Sequence, residues 1–403
     1  MKAIAFAAPI PTYLVTLAAG AISPRLRMGP HACTRYGEVD EPRLPDDHWV
    51  RVQTRLGGIC GSDLAVVALR ASPATSPFSS FPFVLGHENV GTIEELGPAV
   101  RGFARGERVV VNPLLACGPR AIEPPCPACR DGQPSRCEHF TDGAIPPGML
   151  IGTTRGLGGS WGERFVAHQS QVLRVPEAVS DEAAVLVEPF ACSVHAVRSA
   201  PPAAGERVLV VGAGSIGLLT VAALRALAPE SAVTVLARHD FQRDHALRLG
   251  AAQVVMGRGD RIAALAEAGR ARLLKTLIGP PATVGGFDRS FVCVGGRAGV
   301  DDALRFTRAG GTVVLLGNVR SLDGLDWTPV WLKELTLRGS LTYGLHAGSD
   351  RGAFAEALDL IASGRAPVAP LVTHTFPLAQ HARALATATD KGQSKSVKVA
   401  FRF

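Results

Sequence analysis

The chain has no run of five or more basic residues, no internal repeat and no low-complexity tract across its 403 residues. The first absence matters because the formal net charge is +7. A surface that binds a polyanion concentrates its Lys and Arg, whereas here they are scattered. No motif of a nucleic-acid module is present either, so no nucleic-acid partner is expected. No stretch stays apolar long enough, without Gly, Pro or charge, to span a bilayer, so no membrane partner is expected. The missing repeats exclude solenoid and propeller arrays. A clear export signal is lacking too. Lys2 and the uncharged stretch from Ala3 to Ser23 have the outline of one, but Pro9 and Pro11 interrupt the apolar run, and MKAIAF reads as a short first β-strand.

What is present is core-forming material. Hydrophobic residues make up 47% of the chain and charged residues 19%, a globular composition rather than a disordered one. The length suggests about two or three domains. The first half, with much Gly and Pro, reads as short strands between turns, such as His48–Leu56, Gly91–Leu96 and Arg108–Asn112, and ends near Arg164–Val175. This predicts a β-barrel-like domain with long loops. The pattern changes near Pro201. A strand at Arg207–Val211, a helix over Ile216–Leu227, a strand at Ala232–Ala237 and a helix over Phe241–Leu249 come in turn. Later come Arg289–Val294, a helix around Asp301–Arg308 and Gly311–Leu316, then a helix over Ala353–Ser363 and a terminal strand at Ser396–Phe401. Strands alternating with helices predict a parallel, doubly wound sheet. The expected fold class is α/β with a β-barrel, divided as 1–187 with 343–403, and 188–342.

The turn after the first of these strands carries Gly212-Ala-Gly214-Ser215-Ile216-Gly217. GxGxxG alone is weak evidence. Between a strand and a helix it points to a dinucleotide pyrophosphate, approached by backbone N–H groups at the helix N-terminus. An NAD site would then place an acid at the tip of the next strand, on the ribose 2′-hydroxyl. That acid is absent: the tip reads Ala237-Arg238-His239. Arg238 suits a 2′-phosphate, so NADP(H) is favoured over NAD(H), with Arg243 as a second phosphate contact. Asp240 is the rival acid, and a solvated surface Arg238 is the plain alternative.

Three further clusters suit a metal: Gly58-Ile-Cys60-Gly-Ser62-Asp63, Gly86-His87-Glu88, and Glu188-Pro189. Thiolate, imidazole and carboxylate are zinc ligands, and a catalytic site keeps one position open. Singly, each residue is unremarkable. Cys126, Cys129 and Cys137 sit close together, and in a large chain without a clear export signal that clustering reads as metal binding rather than disulfides.

In order and context, GICGSD, GHENVG, the later EP and the Gly-rich loop resemble the zinc-dependent medium-chain dehydrogenases, in particular the polyol, sorbitol, threonine and glucose dehydrogenase branch. The likeness covers nearly the whole chain, including Phe287-Asp…Cys-Val-Gly-Gly296, the run Gly310–Gly317 and Lys333-Glu334. It implies a GroES-like catalytic domain beside a Rossmann domain. It implies Cys60 and His87 as catalytic zinc ligands, with Glu88 and Glu188 competing for a further place. Asp63 resembles the acid that orients the ligand His, and Ser62 the hydroxyl that takes the alcohol proton. It also implies a homo-dimer or homo-tetramer.

Two departures stand out. Some relatives carry a proton-relay His five residues after the first Cys ligand, where this chain has Ala65. The family's structural zinc lobe has four cysteines, and the position three before Cys126 is Glu123. Either Cys117 closes that site across an insertion, or Glu123 replaces it, or the lobe has lost its metal. Cys33, Cys192 and Cys293 read as packing residues, and His195 as structural. Trp161, Trp327 and His346 are candidate pocket walls. The insertions Pro9–Arg35 and Ser72–Phe83 are candidates for reshaping the pocket.

The expected function is zinc-dependent hydride transfer between NADP(H) and a small-molecule polar secondary alcohol: a polyol, sugar, cyclitol or amino alcohol. The rivals are a zinc-independent enone or quinone reductase of the same superfamily and a non-catalytic cofactor-binding protein. A nicotinamide enzyme needs a cofactor pool, so the expected location is the cytoplasm.

Overall fold

A ten-residue strand, Trp49–Gly58, organises the first half of the molecule. Its inward side chains Val50 and Val52 are fully buried while Gln53 and Arg55 face out, the alternation of a half-buried strand. One edge pairs with Asn89–Leu96 along its length. The other edge is shared: Arg164–His168 pairs with residues 49–53, and Lys398–Arg402 with residues 56–58. Two breaks in register on the long ladder add local twist. The full sheet runs Val372–Pro377, Lys398–Arg402, Trp49–Gly58, Asn89–Leu96, Arg108–Val111, Val172–Arg174. Among the described residues no ladder joins its two outer strands.

The computed structural model describes residues 1–29, 31–345 and 351–403. By contacts the chain divides into Met1–Glu188 with Val372–Phe403, and Pro189–Leu371. The return to the first unit therefore falls at Val372, later than the expected 343. The helix Gly352–Ala362 stays with the second unit because its Glu356 pairs with Arg198 of the helix Val187–Ser199, and Arg365 donates to the Ala226 carbonyl.

The second unit is a six-stranded sheet whose ladders are all parallel. Numbered along the chain, its strands lie in the order 3-2-1-4-5-6, from Gln253–Met256 at one edge to Thr336–Gly339 at the other. Arg207–Val211 is buried on both faces, as a central parallel strand must be. The strand order reverses beside it, where ligands bind in doubly wound folds.

Lys2–Phe6 is a core strand with Ala3 and Ile4 fully buried, as MKAIAF suggested. The segment after it differs from expectation. Pro9 and Pro11 do not break the next segment. They open a helix, Ile10–Ile22, at positions where missing N–H donors cost nothing.

Candidate active site

Cys60 ends the turn after Trp49–Gly58 and caps the helix Gly61–Val67. Its N–H donates to Asp63 Oδ2 at 2.9 Å, and the other Asp63 oxygen stands 3.3 Å from His87 Nδ1. One buried carboxylate thus fixes the Cys60 backbone and lies beside the His87 ring. An imidazole held by Nδ1 offers Nε2 to a ligand. Burial alone would lower the His87 pKa. Asp63 and then Cys60 outweigh it, and the pKa stands well above the usual value. Ser62 sits half-buried in the same first turn, and Ala65 lies one turn on.

Cys60, His87 and Glu88 bring ligand atoms within 4.8 Å of one another. The chemistry of this set fits zinc: a thiolate, an imidazole and a carboxylate, two of the three buried. Glu188 is buried in the first turn of Val187–Ser199, and its charge acts on Lys398.

Lys398 is the site residue that the sequence did not single out. It is 3% exposed, and its ammonium donates to both oxygens of the fully buried Glu88 at 2.5 and 2.6 Å. It also donates to the Ile59 carbonyl at 3.3 Å. Burial would lower the Lys398 pKa. Glu88, Cys60 and Glu188 more than offset that and raise it, which favours the charged ammonium. Gly58 makes room for this: a Cβ there would stand 2.0 Å from Glu88 Oε2. No local pattern marks Lys398. Its strand reaches the site only through the antiparallel register Ala400↔Gly58.

Trp161 is no pocket wall. It is fully buried, donates from Nε1 to the Gly58 carbonyl at 2.8 Å and packs edge-on against Phe401. It supports the Cys60 turn from behind. Trp327 instead borders an apolar cavity of about 300 Å³ in the second unit, with Val300, Leu304, Val319 and Leu337. His346 lies outside the described residues.

The second cluster brings together Cys117, Cys126, Cys129 and Cys137, with ligand atoms again within 4.8 Å. Cys117 Sγ lies 3.6 Å from Cys137 Sγ and accepts from the Cys126 N–H, while Glu123 is exposed. Of the two expected fourth members, the fold brings in the cysteine. Cys126 is lowered to about 6: burial opposes this, but N–H donors at Glu138 and Cys129 and the neighbouring thiols outweigh it. Burial pushes Cys137 up to about 11 and Cys129 up as well. Four thiols at this spacing are the donor type and number that a structural zinc takes. Arg120, in the insertion, is fully buried beside them. It donates to the carbonyls of Leu115, Asp142, Ile145, Pro146 and Gly148. Burial lowers its pKa to about 10, while the Cys137, Asp142 and Cys117 charges oppose that. Of the remaining cysteines, Cys33 joins the core around Trp161. Cys293 contacts the Thr220 hydroxyl, and burial pushes its pKa up to about 12. His195 is buried within Val187–Ser199.

In the second unit, Gly212 and Gly214 form the turn after Arg207–Val211, and Ser215 and Ile216 begin the helix Ser215–Leu227. A Cβ on Gly217 would stand 1.7 Å from the Gly212 carbonyl, so only glycine lets this helix close on the strand. Arg238 is exposed at the tip of Ala232–Ala237. The rival Asp240 is engaged by Arg258 at 2.7 Å and Arg243 at 3.7 Å, and Arg243 also meets Asp244 at 3.3 Å. Lys333 donates to Thr283 Oγ1 at 2.7 Å and to the carbonyls of Arg305 and Thr307. It ties the hairpin strand Ala282–Val284 to the sheet.

Comparison with known proteins agrees with this arrangement. Residues 46–177 match the alcohol dehydrogenase GroES-like domain, and residues 215–363 match the zinc-binding dehydrogenase domain. The chain is 32% identical over 354 residues to L-idonate 5-dehydrogenase of Vitis vinifera, covering 87% of each. It is 30% identical over 358 residues to sorbitol dehydrogenase of Arabidopsis thaliana, covering 88% of each. Among solved structures it resembles a zinc-binding dehydrogenase of Sinorhizobium meliloti bound to NADP, at 26% identity and TM-score 0.69, covering 92% of this chain and 95% of that one. It also resembles an alcohol dehydrogenase of Escherichia coli complexed with NADH, at 25% identity and TM-score 0.74, covering 100% and 99%. The chain belongs to the zinc-dependent medium-chain dehydrogenases and is an alcohol dehydrogenase of that family.

Proposed function

We propose that this chain interconverts a polar secondary alcohol, of the polyol or sugar class, and its carbonyl by hydride transfer with NADP(H). The observation that carries this is the group of Cys60, His87 and Glu88, organised by Asp63 and Lys398. The substrate class rests on the relatives, which are named for idonate and sorbitol.

In this reading Cys60, His87 and Glu188 hold the catalytic zinc. Glu88 is nearer to the first two, but both its oxygens are already taken by the Lys398 ammonium. A cation so placed opposes a second cation on the same carboxylate. Glu88 then anchors the end of the site. Bound there, zinc would act as a Lewis acid toward the substrate oxygen, lowering the hydroxyl pKa or polarising the carbonyl. Asp63 keeps the His87 ring aimed toward a ligand. Ser62, two residues from Cys60, takes the alcohol proton. Ala65 carries no titratable group, so the proton leaves Ser62 through water or the cofactor ribose. The Gly212–Gly217 turn holds the pyrophosphate. Arg238, with Arg243, holds the 2′-phosphate, because Asp240 is neutralised by its arginine partners. Cys117, Cys126, Cys129 and Cys137 hold a second, structural zinc.

A homo-dimer or homo-tetramer in the cytoplasm completes the reading. The edge strand Thr336–Gly339 and the exposed Trp331, Leu332, Leu273 and Leu274 support association. Light scattering on the purified chain checks the mass. The function is tested by zinc quantitation together with an NADP⁺-versus-NAD⁺ screen over polyols, sugars and amino alcohols. Zinc-dependent oxidation of a polyol preferring NADP⁺ is the expected result. No zinc, or activity only on enones, would overturn it.

A further inference from the structure

We propose that the helix Ile10–Ile22 is a peripheral anchor that seats this chain on an anionic lipid surface. The helix is built inside out. Its inward stripe is Thr12, Thr16 and Gly20, spaced four apart, with Thr16 and Gly20 buried. Thr16 Oγ1 donates to the Thr12 carbonyl and accepts from the Cys33 N–H at 2.9 Å. The Arg27 side chain lies over Gly20. The outward face carries the large apolar residues: Ile10 is 77% exposed, Leu14 58%, Val15 55%, Leu17 49% and Ile22 84%. A helix on a water-facing surface has the opposite arrangement. So concentrated an apolar face on one element marks an interaction site.

Charge and area decide the occupant. No residue from Ala3 to Pro24 is charged, and no acid precedes Glu38. Lys2 is paired with Glu38, and Arg25, Arg27 and Arg35 follow the helix in the sequence before that acid. The whole chain carries +7. An apolar face flanked by cations suits a surface of acyl chains under anionic headgroups. A second copy suits it less. Thirteen residues make a helix about 20 Å long, whose single face falls well short of the roughly 800 Å² per partner of a standard stable interface. A lipid surface sets no such threshold and takes one face to a depth of about 5–10 Å. No described helix is long and apolar enough to cross a membrane, so the contact is peripheral. This goes beyond the sequence reading, which expects no membrane partner. The helix also lies outside the matched GroES-like residues, which begin at 46.

The full chain is sedimented with vesicles of phosphatidylglycerol and phosphatidylcholine, and with phosphatidylcholine alone. Wild type is expected to pellet with the anionic vesicles and less with the neutral ones. Leu14→Glu with Leu17→Glu, both exposed, is expected to weaken binding by roughly tenfold or more with an unchanged melting temperature. Ile10→Glu with Ile22→Glu gives a second variant in case the first is misfolded. Wild type that stays in the supernatant at saturating lipid, or variants that bind as well as wild type, would overturn the proposal. A larger assembly by light scattering that both variants lose, without vesicle binding, would instead assign the face to a second copy and overturn it equally.

Discussion

Cys117, Cys126, Cys129 and Cys137 all lie between residues 117 and 137, and four like donors close on one another. Cys60, His87 and Glu88 come from two loops and depend on Lys398, which pairs with Glu88 across 310 residues of sequence. The first cluster can assemble from one short segment. The second exists only when the terminal strand has docked beside Trp49–Gly58. Their charge balance differs as well. In the lobe a buried Arg120 with carbonyl partners faces thiols, so metal-bound thiolates would supply its missing anion. At the other cluster Lys398 already has its anion in Glu88, and the metal is left for Cys60, His87 and an acid. A closed set of four ligands suits structure; a mixed, incomplete set suits chemistry.

His87→Ala should separate the clusters most sharply. We expect kcat/KM to fall by on the order of a thousandfold, from several kcal/mol of lost Lewis-acid stabilisation. NADP(H) binding by fluorescence titration should persist, because the Gly212–Gly217 turn lies in the other unit. Lys398→Met should cost about 3–5 kcal/mol of stability by leaving Glu88 as a buried unpaired carboxylate. The double change with Glu88→Gln should recover much of that in denaturant melts. A double variant as unstable as the single would show that Lys398 acts by packing and not by charge. Cys129→Ser should lower Tm by about 10 °C, a few kcal/mol, and leave the remaining activity per folded molecule nearly intact. A large loss of kcat in folded protein would erase the distinction between the clusters. The smallest expected effect is Arg238→Ala, a rise of about tenfold or more in KM for NADP⁺ with little change for NAD⁺.

Features that depend on near neighbours were legible in the sequence. Arg207–Val211 and Ala232–Ala237 show as apolar runs, and Gly212, Gly214 and Gly217 punctuate the turn between strand and helix. Cys60 and His87 carry their own local motifs. Features that depend on distant pairing were not. Lys398 reads as an ordinary lysine near a chain end until the register Ala400↔Gly58 buries it against Glu88. Arg120 reads as a surface residue until five carbonyls converge on it. The choice of Cys117 over Glu123 depends on the path of the insertion, which spacing does not encode. The helix Ile10–Ile22 was hidden because prolines that begin a helix look like prolines that break one. Its inverted face has no signature short of the fold.

Two metal sites of different kinds in one unit are tested most directly by zinc counting on wild type, His87→Ala and Cys129→Ser, each with its Tm. Two zinc ions per chain are predicted for wild type, one for each cluster. Each variant should lose one: His87→Ala with its Tm nearly kept and its activity gone, Cys129→Ser with its Tm lowered. A wild-type count of zero, or a count unchanged in His87→Ala, would contradict the assignment of these clusters as zinc sites.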